Sequence, residues 1–203
     1  MRGKWAQGIT PRHFTWILQD RLAVCERPGG YGANHRKVRR QEEIIWLREQ
    51  GFTAVISLVE SSHNLHNYDE LGVPWRHRPF TASDDQEAFL KRFFPELRQL
   101  LVGGGKIVIH QDELGDRMCG LMAAYVLWSE LVPGPPQAIS IIEQLLHRQL
   151  GSPARHLVAL VGRMPGPDEL EAPVPSPAED AGEHGAGEDG AGDDDQPADD
   201  AAG

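Results

Sequence analysis

The order of apolar and polar positions along the chain predicts alternating strands and helices. Residues 14–24 mix aromatic and aliphatic side chains around Gln19-Asp20, the pattern of two short strands joined by a turn. Arg27-Pro28-Gly29-Gly30-Tyr31-Gly32 reads as a loop. Over 38–50, Ile44, Ile45 and Leu47 mark the inner side of a helix that Gly51 is placed to end. Residues 53–59 are short, apolar and β-branched, as a strand buried on both faces should be. A short helix is expected over 64–71, closed by Gly72. The strand expected over 73–78 is confined by Pro74 to a sheet edge or a strand start.

The second half is more strongly patterned. Phe89, Leu90, Phe93, Phe94, Leu97, Leu100 and Leu101 recur at helical spacing across 86–101, with Pro95 expected to kink or break the helix. Gly103-Gly104-Gly105 ends it, and 106–110 reads as a second buried strand. Residues 117–130 are apolar nearly all round, which predicts a buried helix. Another helix is expected over 136–150, with Pro136 at its start and Gly151 past its end, and a last one over 154–161. Strands alternating with helices imply an α/β fold with a mostly parallel central sheet flanked by helices.

Composition changes sharply after Met164, to Pro, Gly, Ala, Asp and Glu. Such a stretch lacks the apolar side chains that offset chain entropy. Three parts are therefore expected: a flexible arm over 1–13, one α/β domain over 14–164, and a disordered acidic tail over 165–203. Thirteen of the thirty Asp and Glu fall in that tail, which has no Lys or Arg. The formal charge of −10 thus belongs to the tail. The remainder, with seventeen acids and twenty bases, is slightly basic. Two cysteines, Cys25 and Cys119, give no disulfide framework and no zinc pattern. No apolar run at the start resembles a secretion signal, and 121–128 is too short to span a bilayer. A cytoplasmic protein with no membrane contact is expected.

The chemistry gathers at Lys106-Ile-Val-Ile-His110-Gln-Asp-Glu-Leu-Gly-Asp-Arg117. A buried strand feeding a tight loop, and the loop feeding a helix N-terminus, points several N–H groups at one place. That is a natural anion cradle. The stretch resembles the signature loop of the dual-specificity and protein tyrosine phosphatases: an apolar strand, His, Cys, five residues, then Arg. His110 and Arg117 match the motif's His and Arg. Ala123-Ala124-Tyr125 falls where that family's buried helix often carries such residues. Upstream, 51–58 resembles the family's Gly-Ile-x-x-Val-x-x-Leu strand, and His77-Arg78-Pro79-Phe80 resembles the His-x-Pro-Ile before its general-acid loop. The resemblance covers about residues 14–150 and implies a protein tyrosine phosphatase-like fold.

The departures bear on function. Where the family has a low-pKa thiolate that attacks phosphorus, this chain has Gln111, and an amide is a poor nucleophile. The position of the family's general acid falls near Ala82; Asp84 and Asp85 are close but out of register. The loop Gln111, Asp112, Glu113, Leu114, Gly115, Asp116 carries three carboxylates where the family's loop is rich in glycine. They would repel a phosphate dianion by about 1 kcal/mol or more each. Arg117, joined by His110, keeps the role of anion ligand. It could instead pair with those carboxylates.

The resemblance thus implies a pseudophosphatase, a binding or regulatory protein with a degenerate phosphate-binding loop and no catalytic residue. The alternative is an active hydrolase of unusual mechanism, with Asp112 or Glu113 attacking phosphorus or positioning water. A purely structural partner protein is a third reading. Cys119, in an apolar helix, reads as a structural thiol. His63, His66 and His77 lack a clear further ligand, so no metal site is expected, and no cofactor. The glycines of 30–35 lack the last glycine of a dinucleotide loop. The expected partners are a phosphorylated protein or small anion, and the chain's own acidic tail, which could fold back on the basic cluster Arg36–Arg40. The tail's charge argues against nucleic acid.

Overall fold

The computed structural model describes residues 8–30 and 36–170. A five-stranded sheet runs in the order β1-β2-β5-β3-β4. Its strands are β1 (Thr15–Leu18), β2 (Leu22–Glu26), β3 (Ala54–Ser57), β4 (Trp75–His77) and β5 (Ile107–Gln111). β1 and β2 form an antiparallel hairpin, and all other neighbours are parallel. The helices are α1 (Lys37–Glu49), α2 (His66–Glu70), α3 (Gln86–Val102), α4 (Asp116–Trp128), α5 (Pro135–Leu146) and α6 (Ser152–Leu160).

Side chains alternate across a strand, so β5 divides its residues between two cores. Ile107 and Ile109 face the larger core beneath α3, α4, α5 and α6. Val108 faces a smaller one with Ile44, Leu47 and Tyr68 from α1 and α2. Against the larger core α4 packs tightly on α6. A Cβ on Gly120 would lie 2.5 Å from the Ala154 Cα, so only glycine fits at that crossing.

Four expectations are corrected. Of the kink or break expected at Pro95, the break does not occur: α3 runs through it from Gln86 to Val102. Burial of Phe93, Phe94, Pro95 and Leu97 outweighs the one backbone hydrogen bond that proline removes. α5 ends at Leu146, with His147 in the left-handed region at φ 51°, and Gly151 is instead the N-cap of α6. The boundary at 164 lies too early. The Trp128 indole donates to the Pro165 carbonyl at 2.9 Å, Arg98 holds Pro167 and Asp168, and Leu170 packs on the larger core. The described part of the expected arm is also held: the Ile9 N–H donates to the Glu42 carbonyl, and the Arg12 carbonyl accepts from Glu26. Residues 1–7 of that arm and 171–203 of the expected tail lie outside the described residues. No helix among the described residues is long and apolar enough to cross a membrane.

Candidate functional site

Parallel strands bring their C-terminal ends to one edge of the sheet, and the loop of residues 112–115 leaves β5 there. β5 is the central strand, flanked by β2 and β3. Its register sets Cys25, His110, Ser57 and His77 in one row across β2, β5, β3 and β4, all on the side of the smaller core. Gln111, one residue on, points to the opposite side.

That alternation separates two residues the sequence had paired. His110 has no exposed surface, and its ring lies 6.0 Å from that of Tyr68. Neither ring nitrogen has a partner, and the Ser57 hydroxyl beside it has none either. Burial, with Arg27 and His77 adding to it, pushes the imidazole down to about 3. The ring is therefore neutral near pH 7. This corrects the expectation that His110 shares anion binding with Arg117: a buried neutral ring, on the far side of the sheet from Gln111, offers an anion no charge.

Gln111 and Arg117 do converge. The Gln111 side-chain amide donates to the Phe80 carbonyl at 3.1 Å, and an Arg117 Nη donates to the same oxygen at 3.5 Å. The guanidinium also lies 5.8 Å from the centre of the Phe80 ring, a cation–π distance. No carboxylate among the described residues lies within ion-pair distance of Arg117, so it does not pair with the acids of its own loop.

Those acids go elsewhere. Asp116 spans from α4 to the start of α6, accepting from the Gly151 N–H at 2.7 Å and the Ala154 N–H at 2.9 Å. Its charge is thus spent on a helix N-terminus, where a carboxylate is favoured. Asp112 pairs with Arg27 at 3.3 Å. Glu113 is exposed, and its side chain has no partner among the described residues. The expectation of three carboxylates crowding one anion is therefore corrected to one free carboxylate. Of the remaining loop residues, the Leu114 carbonyl accepts from Arg148 at 3.2 Å, and the Gly115 N–H donates to the Glu113 carbonyl at 2.8 Å.

Ala82, where the sequence resemblance would put a general acid, is exposed in a turn and carries no acidic group. Asp85 caps α3, accepting from the Ala88 N–H. Asp84 accepts from the Thr81 N–H. Hydrogen bonds from Thr81, with smaller contributions from Arg117 and Arg92, hold its carboxyl below the ordinary range. A carboxylate stabilised in its ionised form is a poor proton donor. Both thiols are buried and unpaired, and burial pushes each upward, away from the thiolate form. No group of three or more His, Cys, Asp or Glu among the described residues is arranged to hold a metal ion.

Sequence reasoning missed Arg27, which ties the loop down from outside. Its main-chain N–H donates to the Gln111 carbonyl at 2.7 Å, and its guanidinium reaches Asp112 and the His63 carbonyl. It missed the Phe80 carbonyl as the point where Gln111 and Arg117 meet. Neither contact leaves a local signal, since the partners lie more than 30 residues apart in the chain.

No protein-family profile matches the chain, and no curated protein matches it. Solved structures do. A kinase associated phosphatase with its catalytic-site cysteine substituted by serine aligns at 20% identity with a TM-score of 0.62, over 73% of this chain and 93% of that one. Tk-PTP in its active form aligns at 18% and 0.58, over 75% and 98%. The human tyrosine phosphatase-like serine/threonine/tyrosine-interacting protein aligns at 14% and 0.52, over 74% and 95%. Identities this low establish the architecture and not the chemistry: the chain has a protein tyrosine phosphatase-like α/β fold.

Proposed function

We propose that this protein is a pseudophosphatase: a binding or regulatory protein that holds an oxyanion, on a phosphorylated protein or a small molecule, without turning it over. The observation that carries the reading is Gln111. An amide stands where the fold's nucleophile would stand, and it is already engaged as a donor to the Phe80 carbonyl. An amide cannot be activated by lowering a pKa. No thiol replaces it, since Cys25 and Cys119 are buried with their pKa values raised. Of the two alternative nucleophiles, Asp112 is engaged with Arg27, and Glu113 is exposed to solvent. Arg117 supplies the anion ligand, a fork of donors with no competing carboxylate. Two reduced, buried thiols favour a cytoplasmic setting.

The test is aryl phosphate hydrolysis by wild type and Gln111→Cys side by side. Wild type should be inert, and the cysteine variant should gain vanadate-sensitive turnover. Turnover by wild type that Gln111→Ala abolishes would overturn the reading.

A further inference from the structure

The sequence's basic cluster does not survive folding as a cluster. Arg39 is paired with Glu43 at 2.8 Å, and Arg40 is buried beneath Gly29. Only Arg36 and Lys37 remain exposed. The fold gives them new neighbours. The Arg36 N–H donates to the Gly29 carbonyl, two residues from Arg27, whose own N–H donates to Gln111. Segment 27–29 therefore links the start of α1 to Gln111, the residue that precedes the loop of residues 112–115. Arg148 holds the Leu114 carbonyl, Arg117 follows the loop at the start of α4, and the charges of Arg117 and Arg92 are both felt at Asp84. None of these five bases is within ion-pair distance of a carboxylate among the described residues. Against them the same edge leaves Glu113, Glu60 and Asp84 exposed, while Asp112, Asp116 and Asp85 are already engaged.

Five bases against three exposed carboxylates leave the arc net basic, which favours an acidic partner, and one is covalently attached. Residues 171–203 carry eleven Asp and Glu and no Lys or Arg. They follow Leu170, which is held near the C-terminal end of α4 by the Trp128–Pro165 and Arg98–Asp168 contacts. Arg117 lies near the other end of that 13-residue helix, about 16 Å from Trp128 along its axis. A random-coil chain of 33 residues would have a typical span of about 30 Å, which exceeds that distance.

We propose that the acidic segment 171–203 docks in cis on the arc of Arg36, Lys37, Arg92, Arg117 and Arg148, and competes there with oxyanions for Arg117. The proposal rests on the reading of Arg117 as the oxyanion ligand. It differs from a tail bound to Arg36–Arg40 alone, because two of those residues are committed to the domain and the loop's own bases replace them.

Two measurements on the full chain test it. The first is zero-length carbodiimide coupling in dilute solution at low salt, mapped by mass spectrometry. Lys37 is the one amine of the arc, and it should couple to carboxylates of 171–203 within one molecule. Coupling that salt does not suppress, or that joins isotopically distinct copies instead, overturns docking in cis. The second compares tungstate binding by wild type and by a full-length variant with those eleven acids changed to Asn and Gln. The variant should bind about tenfold more tightly at low salt, as expected for a tethered competitor at millimolar effective concentration. The difference should vanish at high salt. Equal affinities that Arg117→Ala abolishes in both would overturn the competition and leave the oxyanion site standing. If neither form binds tungstate, the oxyanion site and the competition fall together, and Lys37 coupling alone decides the docking.

Discussion

The clamp between β4 and α3 and the end of β5 both bury polar groups, and they treat them differently. In the clamp, Glu96 is nearly buried and accepts from Arg76 at 2.7 Å and from Arg78 at 2.9 Å on each of its two oxygens. Burial alone would raise its pKa, yet the hydrogen bonds from Arg78 and Arg76 hold the carboxyl below the ordinary range. At the end of β5 the bonding is incomplete. His110 and Ser57 have buried polar atoms without partners, and Arg117 faces a carbonyl and an aromatic ring rather than a carboxylate. Arginines in the clamp are consumed by the fold. The arginine at the loop is left with donor capacity for something outside it. That contrast, more than the motif, separates a structural charge from a binding one.

The contrast predicts its own largest effect at the clamp. Glu96→Leu removes the buried carboxylate to which both arginines donate, and should lower stability by about 3 kcal/mol in urea unfolding. A change near zero would mean that both guanidinium groups turn out to solvent, and the clamp would be no more structural than Arg117.

A smaller effect is expected from pH at the end of β5. The unfolded chain protonates His110 near its ordinary value of 6.5, whereas the folded chain refuses the proton until about 3. The unfolded state binds more protons between those values, so this contribution is intact above about pH 6.5 and declines as pH falls. Well inside the window the slope approaches about 1.4 kcal/mol per pH unit. Glu96 adds its own loss only below its ordinary 4.5, so unfolding measured from pH 7 to 5 isolates the histidine. His110→Leu should flatten that dependence. A wild type already flat over this range would show that the ring is solvated.

The finest distinction lies within the loop. Asp116→Asn should cost about 1 kcal/mol, because the carboxylate caps α6, while leaving tungstate affinity unchanged. Arg117→Ala should do the reverse, with stability within about 0.5 kcal/mol of wild type and tungstate binding lost. If both substitutions act on stability alone, Arg117 belongs with the clamp.

Most of the architecture was legible from pattern. The runs at 53–59 and 106–110 fell on β3 and β5, because a strand covered on both faces must be apolar throughout. The spacing of Phe89 through Leu101 fell on α3. Pro95 misled because local propensity cannot weigh the burial of Phe94 and Leu97 on either side of it. The end of α5 was misplaced because Gly151 can serve the end of one helix or the start of the next. The site was legible in outline: the strand, the loop, Gln111 and Arg117 were marked by motif spacing. What the side chains do there was not. Asp112, Glu113 and Asp116 look alike in sequence, yet they end as an ion pair, an exposed carboxylate and a helix cap.

By itself, then, the sequence determined the alternation of elements, the parallel sheet it implies, and an amide rather than a thiol at residue 111, because periodicity and residue type are local properties. Only the tertiary structure decided that His110 is walled off from Gln111, that no carboxylate among the described residues pairs with Arg117, and that Arg36 and Lys37 stay exposed while Arg40 is buried beneath Gly29. Each of those outcomes depends on residues distant in the chain reaching within a few ångströms of one another. Charge and burial acquire their meaning only at that distance.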